Sequence, residues 1–257
     1  MSDNQTSQFC TGIVIPCYNE VNRIQLSEFS QFFSLNDSIF FCFVNDGSTD
    51  GTHQKLADFV NRNPERSQLV NLPKNKGKAE VFRHGINTML KTSEYQFVGY
   101  WDADLATPLT EIQVFIQKFK SNNELKAVCG SRVLRLGSSI RRSVFRHYFG
   151  RIFATIVSEI LNIPVYDTQC GAKIFLAEFA EFIFTDKFLS RWFFDVELFA
   201  RSIEHIGRQN IINGVVELPL SQWHDQGQSK ITWANVIQTP VELLRIYIFY
   251  RKRMAKA

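Results

Sequence analysis

Two aspartates, Asp102 and Asp104, stand one residue apart directly after the apolar run FVGYW. Carboxylates at i and i+2 on a loop can turn toward one hard cation, and Mg2+ or Mn2+ takes oxygen ligands while bridging to substrate phosphates. Three more polar clusters also sit beside apolar runs. In Pro16-Cys17-Tyr18-Asn19-Glu20, Tyr18 offers a flat face to a base and Glu20 a carboxylate to ribose hydroxyls. In NDGSTDGT (45–52), Gly47 and Gly51 permit a sharp turn and Asp46 can accept hydrogen bonds from a nucleobase or ribose. Asp50 or Thr52 can cap the helix that follows. Asn75-Lys76-Gly77-Lys78 opens a helix as a small basic, anion-binding turn. Taken singly, each cluster also reads as an ordinary solvated turn.

The elements that must hold these clusters alternate. Residues 11–16, 39–44, 68–72 and 97–101 read as short apolar strands, and 52–61 and 78–90 as amphipathic helices. Continuous apolar strands between helices indicate a parallel sheet covered on both faces, which binds ligands at the carboxyl ends of its strands. The fold class is therefore α/β, with a mostly parallel central sheet flanked by helices. Further along, 127–131 and 215–220 read as strands and 142–161 as a long amphipathic helix. Residues 235–250 read as a helix that Pro240 should interrupt or begin in part. The expected organisation is a polar tail over 1–10, one domain over 11–235 and a basic amphipathic helix over 236–257. The domain would divide into a nucleotide-binding half, 11–125, and an acceptor half, 126–235.

The chain has 257 residues, 45% of them apolar and 21% charged, which excludes disorder and low complexity. Aromatic content is high, with 24 Phe. Five cysteines without CxxC spacing argue against a disulfide framework or zinc site and fit a reducing compartment. With no signal-like segment and no uninterrupted apolar span, a cytoplasmic protein is expected. The net charge of +4 is uneven: residues 1–130 sum to −2 and 131–257 to +6. The second half suits an anionic partner. Nucleic acid would match that half but not the acidic strand ends, so it is not expected.

The ordered set PCYNE, NDGSTDGT, NKGKA and DADLATP resembles family 2 of the glycosyltransferases, whose nucleotide-sugar-binding fold is called type A. GSR (130–132), DTQCGAKIF (167–175) and RWFFDVEL (191–198) are similar to the polyprenyl-phosphate sugar transferases. Within these the chain most resembles the dolichyl-phosphate glucosyltransferases, and Trp223 with Ser229-Lys230 matches a later element of that branch. Val21, where the family often has a second acid, departs from the pattern.

The resemblance implies an inverting, metal-dependent hexosyltransferase using a nucleotide sugar, UDP-glucose being the expected donor, and a polyprenyl phosphate acceptor. Pro16, Tyr18, Glu20, Asp46, Gly77 and Lys78 would hold the donor. Asp102 and Asp104 would bind the metal, with Ala103 beside the donor. Ser229 and Lys230 would close over the diphosphate. Arg132, Arg146 and Ser143 would receive the acceptor phosphate. Asp167, Gln169, Trp192, Asp195 and Glu197 would line the sugar pocket. Two alternatives stand beside this: transfer to a saccharide or protein hydroxyl, with Asp167 or Asp195 as general base, and a non-catalytic nucleotide-sugar-binding protein.

Physical chemistry separates the acceptors. A hydroxyl needs a base to remove its proton, whereas a phosphate monoester is already anionic near neutral pH and needs cationic positioning. Arg142 and Arg146, four residues apart, share a helix face with Gly150, and guanidinium suits phosphate. The apolar stripes of 142–161 and 236–250, with Arg251, Lys252, Arg253 and Lys256 at the end, suit an anionic membrane surface. The expected location is therefore peripheral, on the cytoplasmic face of a membrane. Packing of those stripes in a homo-oligomer is the alternative.

Overall fold

The computed structural model describes residues 11–92, 95–141, 144–224 and 233–257, without the side chains of 141, 144–149 and 233–238. The first half alternates as its hydrophobic pattern requires: β1 (Thr11–Cys17), α1 (Leu26–Leu35), β2 (Ile39–Asp46), α2 (Thr52–Arg62), β3 (Ser67–Leu72), α3 (Lys78–Thr92), β4 (Phe97–Trp101) and α4 (Glu111–Ser121). The second half adds β5 (Ala127–Ser131), β6 (Ser139–Arg141), α5 (Val144–Leu161), β7 (Ala172–Leu176), α6 (Ala177–Ile183), α7 (Phe194–Ile206), α8 (Arg208–Gly214), β8 (Val215–Pro219), β9 (Gln222–His224) and α9 (Trp233–Met254).

Seven strands form one sheet in the order β3-β2-β1-β4-β7-β5-β8, and β6 pairs with β9 apart from it. β3, β2, β1 and β4 are parallel, as are β5 and β8, while β7 runs antiparallel to both of its neighbours. The sheet is thus mostly parallel with one reversed strand. The reversal matters for the site. Ala172, the first residue of β7, pairs with Trp101, the last of β4. The segment entering β7 therefore lies at the carboxyl edge, beside the two aspartates.

The many phenylalanines mainly fill the core, in clusters on both faces of the sheet. Phe29 meets Phe41 and Phe43 edge-on at 5.1 Å, a favoured aromatic geometry. On the other face Tyr100 stacks on Phe82 at 4.1 Å.

The expected break at Pro240 does not occur: α9 runs unbroken through it. The missing N–H removes one hydrogen bond, but Leu243, Ile246, Tyr250 and Met254 bury the following turns in the core. Tertiary packing outweighs the local penalty. Among the described residues no helix is long and apolar enough to cross a membrane.

Candidate active site

The site gathers at the carboxyl ends of β1, β2 and β4. Loops 17–21 and 47–52 are stitched together by backbone N–H groups donating to side-chain oxygens. The Asn19 N–H donates to Ser48 Oγ at 3.0 Å, and the Thr49 N–H donates to Asn19 Oδ1 at 2.9 Å. Glu20 and Val21 donate their N–H groups to Thr52 Oγ1 and Asp50 Oδ2, at 2.8 and 3.2 Å. Asp50 also accepts the Thr52 N–H at 3.1 Å, so it caps α2 from one residue before the Gly51 N-cap. Tyr18 and Pro16 are half-buried on this rim. Glu20 is buried and pairs with Arg23 at 3.3 Å, and Arg23 lies 3.9 Å from Asp104.

Asp46 ends β2 and clamps the basic turn. Its Oδ1 accepts the Lys76 N–H at 2.7 Å and its Oδ2 the Gly77 N–H at 2.9 Å. Burial raises the Asp46 carboxyl above its usual range, against the pull of those two hydrogen bonds. Gly77 takes φ +90°, and a Cβ there would stand 2.7 Å from Arg191 Nε. Arg191 in turn donates to Asn75 Oδ1 at 2.8 Å, so it lies over the turn.

Lys78 Nζ reaches Asp102 Oδ1 at 2.6 Å. Burial disfavours the Lys78 charge, but Asp102 more than compensates and raises its pKa. Asp104 accepts the Ala106 N–H at 3.1 Å. Burial and then the neighbouring Asp102 charge raise its carboxyl pKa. Two hard oxygen donors whose charges repel fit a divalent cation that takes its remaining ligands from a diphosphate and water. Among the described residues there is no group of three or more metal-ligating side chains, so Asp102 and Asp104 would be the protein's share of such a site. Trp101 fixes the loop from below: it is fully buried and its Nε1 donates to the Thr107 carbonyl at 2.8 Å.

A second, polar cleft lies beside the first, lined in part by Arg132, Arg151, Tyr166, Asp167, Thr168 and Gln169. Asp167 grips Arg132 in a bidentate pair, at 2.7 and 2.8 Å, and also accepts the Arg132 and Gln169 N–H groups. Burial opposes the Arg132 charge, but Asp167 holds it firmly protonated. Ser131 Oγ, Thr168 Oγ1 and Gln169 Nε2 are buried and have no hydrogen-bond partner among the described residues. Such atoms are uncommon unless a ligand or water meets them.

The structure separates the other sequence candidates. Asp195 lies beneath the site, accepting from Lys173 Nζ at 2.6 Å and from the Tyr100 hydroxyl. Glu197 is fully buried away from both clefts, bonded to Arg201, Tyr250 and the Leu189 N–H. Trp192 is 40% exposed. Ala103 is buried within the Asp102–Asp104 loop. Ser143, Ser229, Lys230 and the side chain of Arg146 lie outside the described residues.

Reading the sequence missed several supports. Gly171 and Lys173 were visible only as letters in DTQCGAKIF. Lys173 is fully buried and donates to the Thr168 and Cys170 carbonyls at 2.8 and 2.6 Å, which shapes the loop between the clefts. Arg151 lines the cleft from α5, and no motif in the sequence marks it. Glu217 accepts the Tyr166 and Asp167 N–H groups at 2.7 and 2.6 Å, and nothing in its strand pattern signals that.

The chain is similar to known proteins in sequence and in fold. The chain is 30% identical to a dolichyl-phosphate beta-glucosyltransferase of Trichomonas vaginalis, over 95% of this chain and 73% of that one. It is 29% identical to the dolichyl-phosphate beta-glucosyltransferase of Saccharomyces cerevisiae, over 93% and 74%. Glucosyl-3-phosphoglycerate synthase from Mycobacterium tuberculosis, solved with UDP, shares the fold with a TM-score of 0.68. It is 15% identical, over 92% of this chain and 79% of that one. The glycosyl transferase family 2 model matches residues 12–184, which takes in the stitched loops, both aspartates and the Arg132–Asp167 pair, and the chain belongs to that family.

Proposed function

We propose that this glycosyltransferase moves a hexose, glucose in the first instance, from a nucleoside diphosphate donor to a polyprenyl phosphate, with inversion. The observation that carries the acceptor is the bonding of Asp167. Its carboxylate is taken up by Arg132 and two backbone N–H groups, and Asp195 is taken up by Lys173 and Tyr100. Neither carboxylate is a free base for a hydroxyl acceptor. The cleft instead sets two guanidinium groups, Arg132 and Arg151, against the single Asp167 carboxylate, with Thr168 and Gln169 beside them, a net positive lining of the kind that positions an anion. The similar dolichyl-phosphate beta-glucosyltransferases support the reading.

The residues take their roles by position. The stitched loops and Asp46 would hold the nucleoside. Asp102 and Asp104 would hold Mg2+ or Mn2+, which when bound stabilises charge on the departing diphosphate. The Mycobacterium tuberculosis enzyme has been solved with Mn2+ and UDP-glucose, which supports both choices. Lys78, already beside Asp102, supplies positive charge to the diphosphate. The Arg132 cleft would orient the acceptor oxygen, and Lys173 and Gly171 keep the clefts in register. The exposed apolar faces of α5 and α9 and the basic end of α9 fit a peripheral position at an anionic membrane on the cytoplasmic side.

The test is UDP release from UDP-glucose by purified protein with Mn2+, with and without a short-chain polyprenyl phosphate. Release that requires the lipid phosphate and stops with chelator is expected. Release that instead requires a saccharide or peptide hydroxyl would overturn the acceptor assignment. Donor binding with no turnover on any acceptor would favour a non-catalytic sensor.

A further inference from the structure

A second groove runs between α5 and α9. Ile152, Ile156 and Ile160 recur every four residues along one face of α5 and look across at Pro240, Leu243 and Tyr247 of α9. The lining is apolar yet open: Ile152 is 61% exposed, Ile156 46% and Leu244 56%. Apolar surface gathered in this way on one face marks a place where something docks. The groove also adjoins the polar cleft, and the buried Phe153 side chain lines both. From the cleft to the groove the lining changes from Arg132, Arg151, Thr168 and Gln169 to mainly aliphatic and aromatic side chains, with Thr239 and Tyr247 bringing the groove's hydroxyls.

We infer that this groove receives the first isoprene units of the same acceptor whose phosphate enters the Arg132 cleft. The inference rests on the proposed function and adds a chain-recognition site to it. An amphiphile with an anionic head and a wholly apolar tail matches the order of the lining. A second copy of the chain would cover the helices without reaching the cleft behind Phe153. A flat bilayer would touch the outer residues Val241 and Ile248, which are 68% and 56% exposed, but would not fill a concave path. From Ile152 to Ile160 the helix rises about 12 Å, so only the beginning of a long chain is read.

The experiment measures acceptor KM for isopentenyl, farnesyl and geranylgeranyl phosphate in the UDP-release assay. It uses the intact protein and the variants Ile156→Ser and Leu244→Ser, both at exposed positions where folding tolerates a polar side chain. The expected result is a KM that falls with chain length and levels off by geranylgeranyl phosphate. Each variant should raise the geranylgeranyl phosphate KM about tenfold, the loss of one well-buried aliphatic contact. The isopentenyl phosphate KM, kcat and donor KM should stay unchanged, and Ile156→Leu should restore the intact value. Transfer with a KM independent of chain length would overturn the groove assignment and leave the proposed function standing. Transfer to none of the three would overturn both. Variants that lose binding to anionic phosphatidylserine vesicles, or lose self-association, at unchanged KM would assign the face to a membrane or a second copy and overturn the inference.

Discussion

Gly171 presses on Asp102. A Cβ at Gly171 would stand 1.9 Å from Asp102 Oδ2 and 2.3 Å from its Cγ, and the Asp102 N–H donates to the Gly171 carbonyl at 3.1 Å. The carboxylate is thus set from behind by backbone, while Lys78 holds its other side. Gly171→Ala should push Asp102 out of line rather than unfold the chain, because Asp102 sits at a partly open edge. Misplacement on the ångström scale costs on the order of 100-fold in rate. We expect that loss in transfer, with weaker Mn2+ binding by paramagnetic resonance and a thermal midpoint near that of the intact protein. An unchanged Mn2+ affinity would show that Gly171 does not set the carboxylate.

The bidentate Arg132–Asp167 pair predicts a different signature. Both side chains are largely buried, so removing one leaves the other charge unpaired. Asp167→Asn should cost about 3 kcal/mol in urea unfolding. Arg132→Lys keeps the charge but loses the fork geometry, and should raise acceptor KM more than donor KM. A double-mutant cycle reads the coupling directly; additive losses would mean that the pair contributes no coupling.

Much of this was legible in the residues. The strands of the first half announce themselves as apolar runs ending at Asp46 and Asp102, and the sheet obliges those ends to share one edge. The reversed strand β7 was not legible: AKIFL carries no mark of direction, and its antiparallel place follows from the 167–171 loop starting at the site. Glu197 shows why motif membership does not give position. It lies two residues from Asp195, yet the turn of α7 sends one carboxylate under the site and the other into the core. The number of phenylalanines alone does not tell core from surface, and burial places most of them in the core.

The cysteines give a test of packing. Cys17, Cys42, Cys129 and Cys170 are buried thiols. Burial pushes Cys42 and Cys129 up to about 12 and Cys170 up to about 11. Thiolate is the reactive form, so none of these three should carry appreciable thiolate below pH 9. Iodoacetamide at pH 8, read by peptide mass mapping, should label none of the four in the folded protein and all of them in urea. Labelling of Cys170 in the native state would mean that the 167–171 loop opens.

The last prediction separates scaffold from site at Glu197. Its Oε1 accepts from Arg201 Nη2 at 2.8 Å and from the Tyr250 hydroxyl at 2.9 Å, tying α7 to α9. Arg201 in turn donates to the Ile183, Asp186 and Lys187 carbonyls, which fastens the segment after α6. Glu197→Gln would leave the Arg201 charge buried without its counter-ion, a loss of about 3 to 5 kcal/mol. Tyr250→Phe removes one hydroxyl from the network and should cost about 1 to 2 kcal/mol. Because neither side chain borders the clefts, Tyr250→Phe should transfer sugar with unchanged kcat and donor KM below its melting range. A shift in donor KM at full folding would return Glu197 to the sugar pocket that its motif suggests.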